Sequence, residues 1–137
     1  MILNETLRLY PPSPLILRKA AKDVTIGNIH IPANTRIVIT TIAIHHDTEI
    51  WGQDAEQFNP LRFTESPKHL GIFLPFGLGP RICLGQNFAL IEAKIILSMI
   101  LRQYSFVVSP TYVHAPMLIF TMQPQHGAQI VFSKISN

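Results

Sequence analysis

The sequence predicts an α+β chain in which two helices bracket a series of short β-strands. Three observations carry that expectation. A helical run at the start is stopped by Pro11-Pro12, apolar residues recur at helical spacing between about Gln86 and Arg102, and short β-branched runs are separated by turn signals.

Ile2–Tyr10 reads as the first helix, because two successive prolines remove backbone donors and end it. Met1-Ile-Leu-Asn4 enters that helix with no capping residue ahead of it, as expected of a chain cut inside a larger domain. Arg18–Val24, Thr25–Ile31 across Gly27-Asn28, and Arg36–Thr41 read as strands, with a further turn at Pro32-Ala-Asn-Thr35. Asp47–Gly71 is a long, polar connection bearing proline, and a structureless loop of that length is uncommon in a compact domain. From Gln86 to Arg102, Phe88, Ile91, Ile95, Met99 and Leu101 or Arg102 mark a helix, with Phe88, Ile91 and Ile95 as an expected core face. Tyr104–Val108, Met117–Met122 and Gln129–Phe132 read as closing strands, the last two separated by Pro124-Gln-His-Gly127. The chain shows no internal repeat and no low-complexity segment.

Composition narrows the function classes. A net charge of +3 without any run of lysine or arginine gives no footprint for nucleic acid. Hydrophobic residues make up 47% and charged residues only 14%, which is apolar for so short a chain. No stretch approaches the roughly 18 apolar residues that span a bilayer; the longest candidate, Ile37–Ile44, is broken by Thr40 and Thr41. The start does not read as a signal peptide. A single cysteine excludes an internal disulfide framework and suits a thiol kept reduced on the cytosolic side.

That cysteine, Cys83, lies in the run Phe73-Leu-Pro-Phe-Gly-Leu-Gly-Pro-Arg-Ile-Cys-Leu-Gly-Gln-Asn-Phe-Ala-Leu90, whose fixed positions are Phe76-x-x-Gly79-x-Arg81-x-Cys83-x-Gly85. Each position suits a thiolate bound to haem iron. A helix beginning near Gln86 favours an anion just ahead of it. Gly79 and Gly85 remove side chains where backbone passes close to a flat ligand, or turn with positive φ. Arg81 can grip a carboxylate with two charge-assisted bonds, and Phe76 gives the sulfur an apolar wall. A lone cysteine is ordinarily a small buried hydrophobe, but five residue types at fixed spacing outweigh that reading. A zinc site would need three more protein ligands, and no second cysteine begins one.

The run resembles the haem-binding loop of the cytochrome P-450 family, the haem-thiolate monooxygenases. Two further segments fit the same family. Glu5-x-x-Arg8 spaces its charges for one helix face, and Phe58-Asn-Pro-Leu-Arg-Phe63 fits the family's Phe-x-Pro-x-Arg-Phe segment, with Leu61 where a glutamate is common. The resemblance implies a mainly α fold with small β-sheets (α+β). Residues 1–137 would be the C-terminal, haem-binding portion of one larger domain, from the Glu-x-x-Arg helix through the cysteine loop to the closing β-hairpin. It implies a buried Glu5–Arg8–Arg62 network, haem b with Cys83 as axial ligand, and Arg81 and Arg18 as anchors of its carboxylates. His45 has either a hydrogen-bonding or propionate-neighbouring role or a plain structural one. His46, His69 and His126 are expected in surface or loop positions.

By the same resemblance, the turn at Pro14, Leu15, Ile16 and Leu17 and the tip at Ile119, Phe120 and Thr121 would touch a lipophilic small-molecule substrate, although apolar residues there also suit a buried strand. Electrons would come from NADPH through cytochrome P-450 reductase, with Lys94 either a docking charge or an ordinary exposed helix lysine. No residue of this portion is expected to act as a catalytic acid or base, because the central helix that serves proton delivery lies elsewhere in the family fold. The closing segment Tyr112–Met117 through Gln123–Gln129 looks most like plant members that oxidise hormones and terpenoids. Such members sit on the cytosolic face of the endoplasmic reticulum membrane through an N-terminal anchor. Two alternatives stay beside the monooxygenase: a haem-binding module without oxygen activation, and a truncated product that binds no haem.

Overall fold

Prolines and glycines set most of the element boundaries. The computed structural model describes residues 1–65 and 70–135; His69 lies outside them. Helix α1 (Ile2–Leu9) ends ahead of Pro11-Pro12. Strand β1 (Leu15–Lys19) follows and pairs antiparallel with β4 (Arg36–Thr40), Leu15 opposite Thr40 and Lys19 opposite Arg36. Between them β2 (Val24–Ile26) and β3 (Ile29–Ile31) form a hairpin across Gly27, whose φ of 60° is readily reached only without a Cβ. The strand expected over Arg18–Val24 is therefore two elements. Its middle bends because Ala20 bonds back to the 34–35 turn and the Asp23 carboxylate accepts the Ala33 N–H at 2.7 Å.

Helices α2 (Thr41–His46) and α3 (Thr48–Trp51) follow, α3 capped by the Asp47 carboxylate on the Glu49 N–H. The expected long connection is thus partly helical, and it continues into a 3₁₀ turn at Pro60–Phe63 capped by Asn59. The longest helix, α4 (Gln86–Gln103), runs directly into β5 (Tyr104–Val108), which pairs with β8 (Ile130–Lys134). The expected strand Met117–Met122 is instead a hairpin of β6 (Pro116–Leu118) and β7 (Met122–Pro124), with residues 119–121 as its bend. Pro116 and Pro124 pair opposite each other at its open end, where missing donors do least harm. The sheets are four separate two-stranded ribbons. No helix among the described residues is long and apolar enough to cross a membrane.

Little of the interior is hydrophobic. Among the described residues the buried apolar side chains are Leu9, Ala20, Ala55, Leu74 and the prolines Pro11 and Pro14, while Glu5, Arg8, Thr41 and His45 are fully buried. The expected core face of α4 is open, with Phe88 72%, Ile91 56% and Ile95 53% exposed, because no element among the described residues packs over it. The accessible surface is 10480 Å², against roughly 7,200 Å² for a self-contained protein of this mass. Surface of that extent and character is a docking or aggregation liability. The isolated chain should bind a hydrophobic dye such as ANS strongly and elute as associated species in size-exclusion chromatography; a monomer without dye binding would contradict this.

Candidate functional site

The site is built on a buried carboxylate. Glu5 and Arg8, one turn apart on α1, meet in a two-pronged pair: Arg8 Nε and Nη2 donate to Glu5 Oε2 and Oε1 at 2.8 and 2.9 Å, both side chains fully buried. The Asn59 N–H donates to Glu5 Oε1 at 2.8 Å, and Arg62 Nε lies 3.4 Å from the same oxygen, near enough for an ion pair but not aligned as a hydrogen bond. The structure therefore brings Glu5, Arg8 and Arg62 together. Burial by itself would push the Glu5 carboxyl up. The Arg8 hydrogen bonds, the Asn59 N–H and the two guanidinium charges outweigh it and hold the group below the usual carboxylate range.

The remaining arginine donors reach outward to backbone. Arg8 Nη1 donates to the His45 carbonyl at 2.6 Å and Nη2 to the Gln57 carbonyl at 3.4 Å, and the guanidinium lies 5.1 Å from the centre of the Trp51 ring. Arg62 donates to the carbonyls of Trp51 and Asp54 and pairs with the Asp54 carboxylate. Asp54 and Trp51 were not singled out in the sequence, where neither falls in a motif. The spacing Trp51-x-x-Asp54, eight residues ahead of Arg62, was the available signal.

His45 is the link between this cluster and the cysteine loop. Its Nδ1 donates to the Arg8 carbonyl at 3.2 Å, and its Nε2 accepts the Leu74 N–H at 2.9 Å, so the ring is the neutral Nδ1–H tautomer. Full burial, backed by the Arg8 charge, lowers its pKa to about 4. Both nitrogens are spent on backbone, and His45 does not line the groove described below. The structure gives His45 a hydrogen-bonding place between α1 and the cysteine loop. His46 also holds α1 to α2, with Nε2 on the Leu9 carbonyl and Nδ1 beside Glu56. His126 lies in the turn before β8.

From Leu74 onward the loop is shaped by its glycines. The Gly77 N–H bonds to the Leu74 carbonyl, and Gly77 and Gly79 both take left-handed backbone, φ 75° and 76°. Gly77 lay outside the fixed motif positions, yet a Cβ there would come 3.9 Å from Ile16 of β1. The Cys83 N–H closes the loop on the Phe76 carbonyl at 2.9 Å, and Gln86 begins α4. Gly85 has ordinary backbone, φ −86°; a Cβ at this position would lie 4.0 Å from the Cys83 sulfur. A side chain there would thus make ordinary contact with the thiol, and neither φ nor a clash within this chain requires glycine.

Cys83 is exposed and opens into a groove of about 560 Å³ between the loop and β1. Phe76, Arg81, Arg18, Leu15, Ile16 and Leu17 line it with Cys83. A second cavity, sharing Leu17, Arg18 and Arg81, adjoins it and adds Lys19 and Arg36. The arrangement places a thiol in an apolar trough with cations at one end. Pro14 is buried and does not line the groove, nor do Ile119, Phe120 and Thr121, although their hairpin is tied nearby through the Met122 N–H to the Pro12 carbonyl. Lys94 is exposed, on a cleft between α4 and the start of α1. Among the described residues, no three of His, Cys, Asp and Glu cluster as a metal cage, so the groove's only soft ligand is one sulfur.

Comparison with known proteins agrees with this layout. The family model described as cytochrome P450 matches residues 1–132. The chain is 50% identical over 139 residues to "Cytochrome P450 72A397" of Kalopanax septemlobus, and 50% identical over 139 residues to "11-oxo-beta-amyrin 30-oxidase" of Glycyrrhiza uralensis; each match covers 98% of this chain and 27% of the relative. It therefore spans about a quarter of the length of these curated relatives. Among solved structures, the retinoic acid-bound cyanobacterial CYP120A1 superposes with a TM-score of 0.87 at 26% identity, over 98% of this chain and 32% of that one.

Removing one partner of the buried cluster strands the other charge, so Arg8→Ala should cost about 3–5 kcal/mol in denaturant unfolding; a loss below ~1 kcal/mol would show that water replaces the guanidinium. For His45 the folded pKa is lower than the unfolded one, so the unfolded chain binds the extra proton. Its contribution is complete above about pH 6.5 and is lost as pH falls toward 4. Stability should fall by up to ~1.4 kcal/mol per pH unit in that window, and His45→Gln should flatten the slope between pH 6.5 and 4.5 in urea titrations.

Proposed function

Because the chain belongs to the cytochrome P450 family, we propose that it is the C-terminal, haem-holding part of a longer haem-thiolate monooxygenase domain that hydroxylates or otherwise oxidises a lipophilic small molecule. One observation carries the reading: Cys83, Phe76, Arg81 and Arg18 come from two separated segments and line one groove. The donor set fits haem b. A single soft sulfur stands where iron would be held, apolar walls suit the macrocycle, and arginines at one end suit its two carboxylates. When bound, the haem would supply oxygen activation, with one atom of O₂ entering substrate and the other leaving as water.

The chain's own residues prepare that site. Cys83 offers its sulfur from a loop closed by its own N–H, so the ligand is held by backbone and not by a flexible side-chain contact. The short loop leaves the sulfur exposed toward the groove, and Phe76 limits water at its side. Arg18 and Arg81 would orient the cofactor by its acid edge. Leu15, Ile16 and Leu17 present an apolar strand edge along the groove, which suits a lipophilic substrate. Pro14 and the tip 119–121 would meet substrate only from beyond this groove. The relative named as an 11-oxo-beta-amyrin oxidase acts on a triterpenoid by its name, and a terpenoid-like substrate is the corresponding expectation here. Electrons would arrive from NADPH through a reductase, and the whole enzyme would sit on the cytosolic face of the endoplasmic reticulum through an anchor outside these residues.

Reconstitution with haem, reduction under carbon monoxide and a difference spectrum test the reading. A strongly red-shifted Soret band that disappears in Cys83→Ser is the expected result. A full-length protein whose band sits at the position of histidine- or water-ligated haem would overturn it.

A further inference from the structure

The cavity beside the groove holds more positive charge than two anchors explain. Four cations, Arg18, Lys19, Arg36 and Arg81, line it together with Leu17, and no acidic side chain does. Among the described residues none of the four forms an ion pair, since every ion pair there involves Arg8, His46 or Arg62. The strand register sharpens the point. Lys19 on β1 stands directly opposite Arg36 on β4, a cross-strand pairing of like charges that costs stability unless an anion lies between or beside them. Arg18 donates to its neighbour's carbonyl, Leu17 O, at 2.9 Å, which leaves most of its guanidinium for a ligand.

We propose that Arg36, assisted by Lys19, is a third anchor for the cofactor's carboxylates, gripping the acid edge of haem from the β4 side of this cavity while Arg18 and Arg81 hold it from β1 and the cysteine loop. This inference rests on the haem reading above. Alternation along β1 turns Lys19, with Arg36 opposite it, to the face away from Arg18, and the two reach the cavity at the end of the ribbon, where their added positive charge would favour the reduced form of an iron–thiolate centre, which carries one more negative charge. Arg36 is a positioning residue: it acts on the cofactor's edge, not on the reacting atoms.

Removing Arg36 has opposite consequences for the two states of the protein. In the haem-free state it relieves the repulsion with Lys19, so stability holds or rises. In the haem-bound state it strips a carboxylate of a donor. The test is made on the full-length holoprotein, measuring haem transfer to an excess of a haem-scavenging globin and the reduction potential of the iron. Arg36→Gln should speed haem loss roughly three- to tenfold and move the potential to a more negative value. Arg36→Lys should restore both, and haem-free stability in denaturant should not fall. Unchanged haem loss and potential in Arg36→Gln would overturn the inference alone. Faster loss accompanied by a matching drop in haem-free stability would also overturn it, because that is what a purely structural arginine does. Failure of the unmodified protein to bind haem would remove the functional reading and this inference together.

Discussion

A carboxylate sealed from water must be neutralised where it lies, and Glu5 organises this chain by that requirement. One negative charge draws in two guanidinium groups, and the second leaves a surplus of positive charge that the Asp54 carboxylate meets from the rim. The spare N–H groups then bind carbonyls of His45, Trp51, Asp54 and Gln57. Segments that also meet through the Trp51, Phe63 and Phe73 rings are thereby fastened by arginine forks. Such a cluster is a weak source of net stability, since desolvation cancels much of its attraction, but it is demanding in geometry. Its value here is positional.

Position is passed on by a single imidazole. His45 takes its register from the Arg8 carbonyl and hands it to the Leu74 N–H, the first hydrogen bond of the segment that leads to the cysteine. Between Leu74 and Gln86 the chain has no regular hydrogen-bond ladder, so left-handed glycines and the Cys83-to-Phe76 bond define its path. The thiol is thus held by backbone geometry that begins at a buried ion pair more than seventy residues earlier in the chain. Opposite it, the open edge of β1 supplies apolar side chains and then cations. The groove thus joins one thiol, an apolar wall and two arginines in a single lining.

The polar interior and the open apolar faces are two sides of the same condition. The side chains that would form a hydrophobic core on α4, β5 and β8 face outward, as Phe88, Phe106 and Phe132 do, and the chain spans about a quarter of the relatives it matches. Polar contacts organise the chain between α1 and the cysteine loop, while the apolar faces of α4, β5 and β8 lie open to solvent.

Local signals in the sequence were sufficient wherever a few neighbouring residues decide the outcome. Pro11-Pro12 ended α1, Gly27-Asn28 made the β2–β3 hairpin, and the glycines ahead of Cys83 marked a loop, because steric limits on proline and glycine act within a turn. Thr41–His46 was not legible as a helix, since its β-branched, apolar start reads as a continuation of β4. Nor was the bend at 119–121, which carries neither glycine nor proline. The Trp51 and Asp54 partners of Arg62, the burial of His45 and the alignment of Arg36 with Lys19 were beyond it as well. Each depends on which distant backbone groups converge on a side chain, and hydrogen bonds and ion pairs act over a few ångströms in space whatever their separation along the chain. By itself the sequence determined the turns, the glycine-bounded loop around Cys83 and the charges on offer; the tertiary structure alone decided which of those charges are sealed into the scaffold and which are left facing the groove.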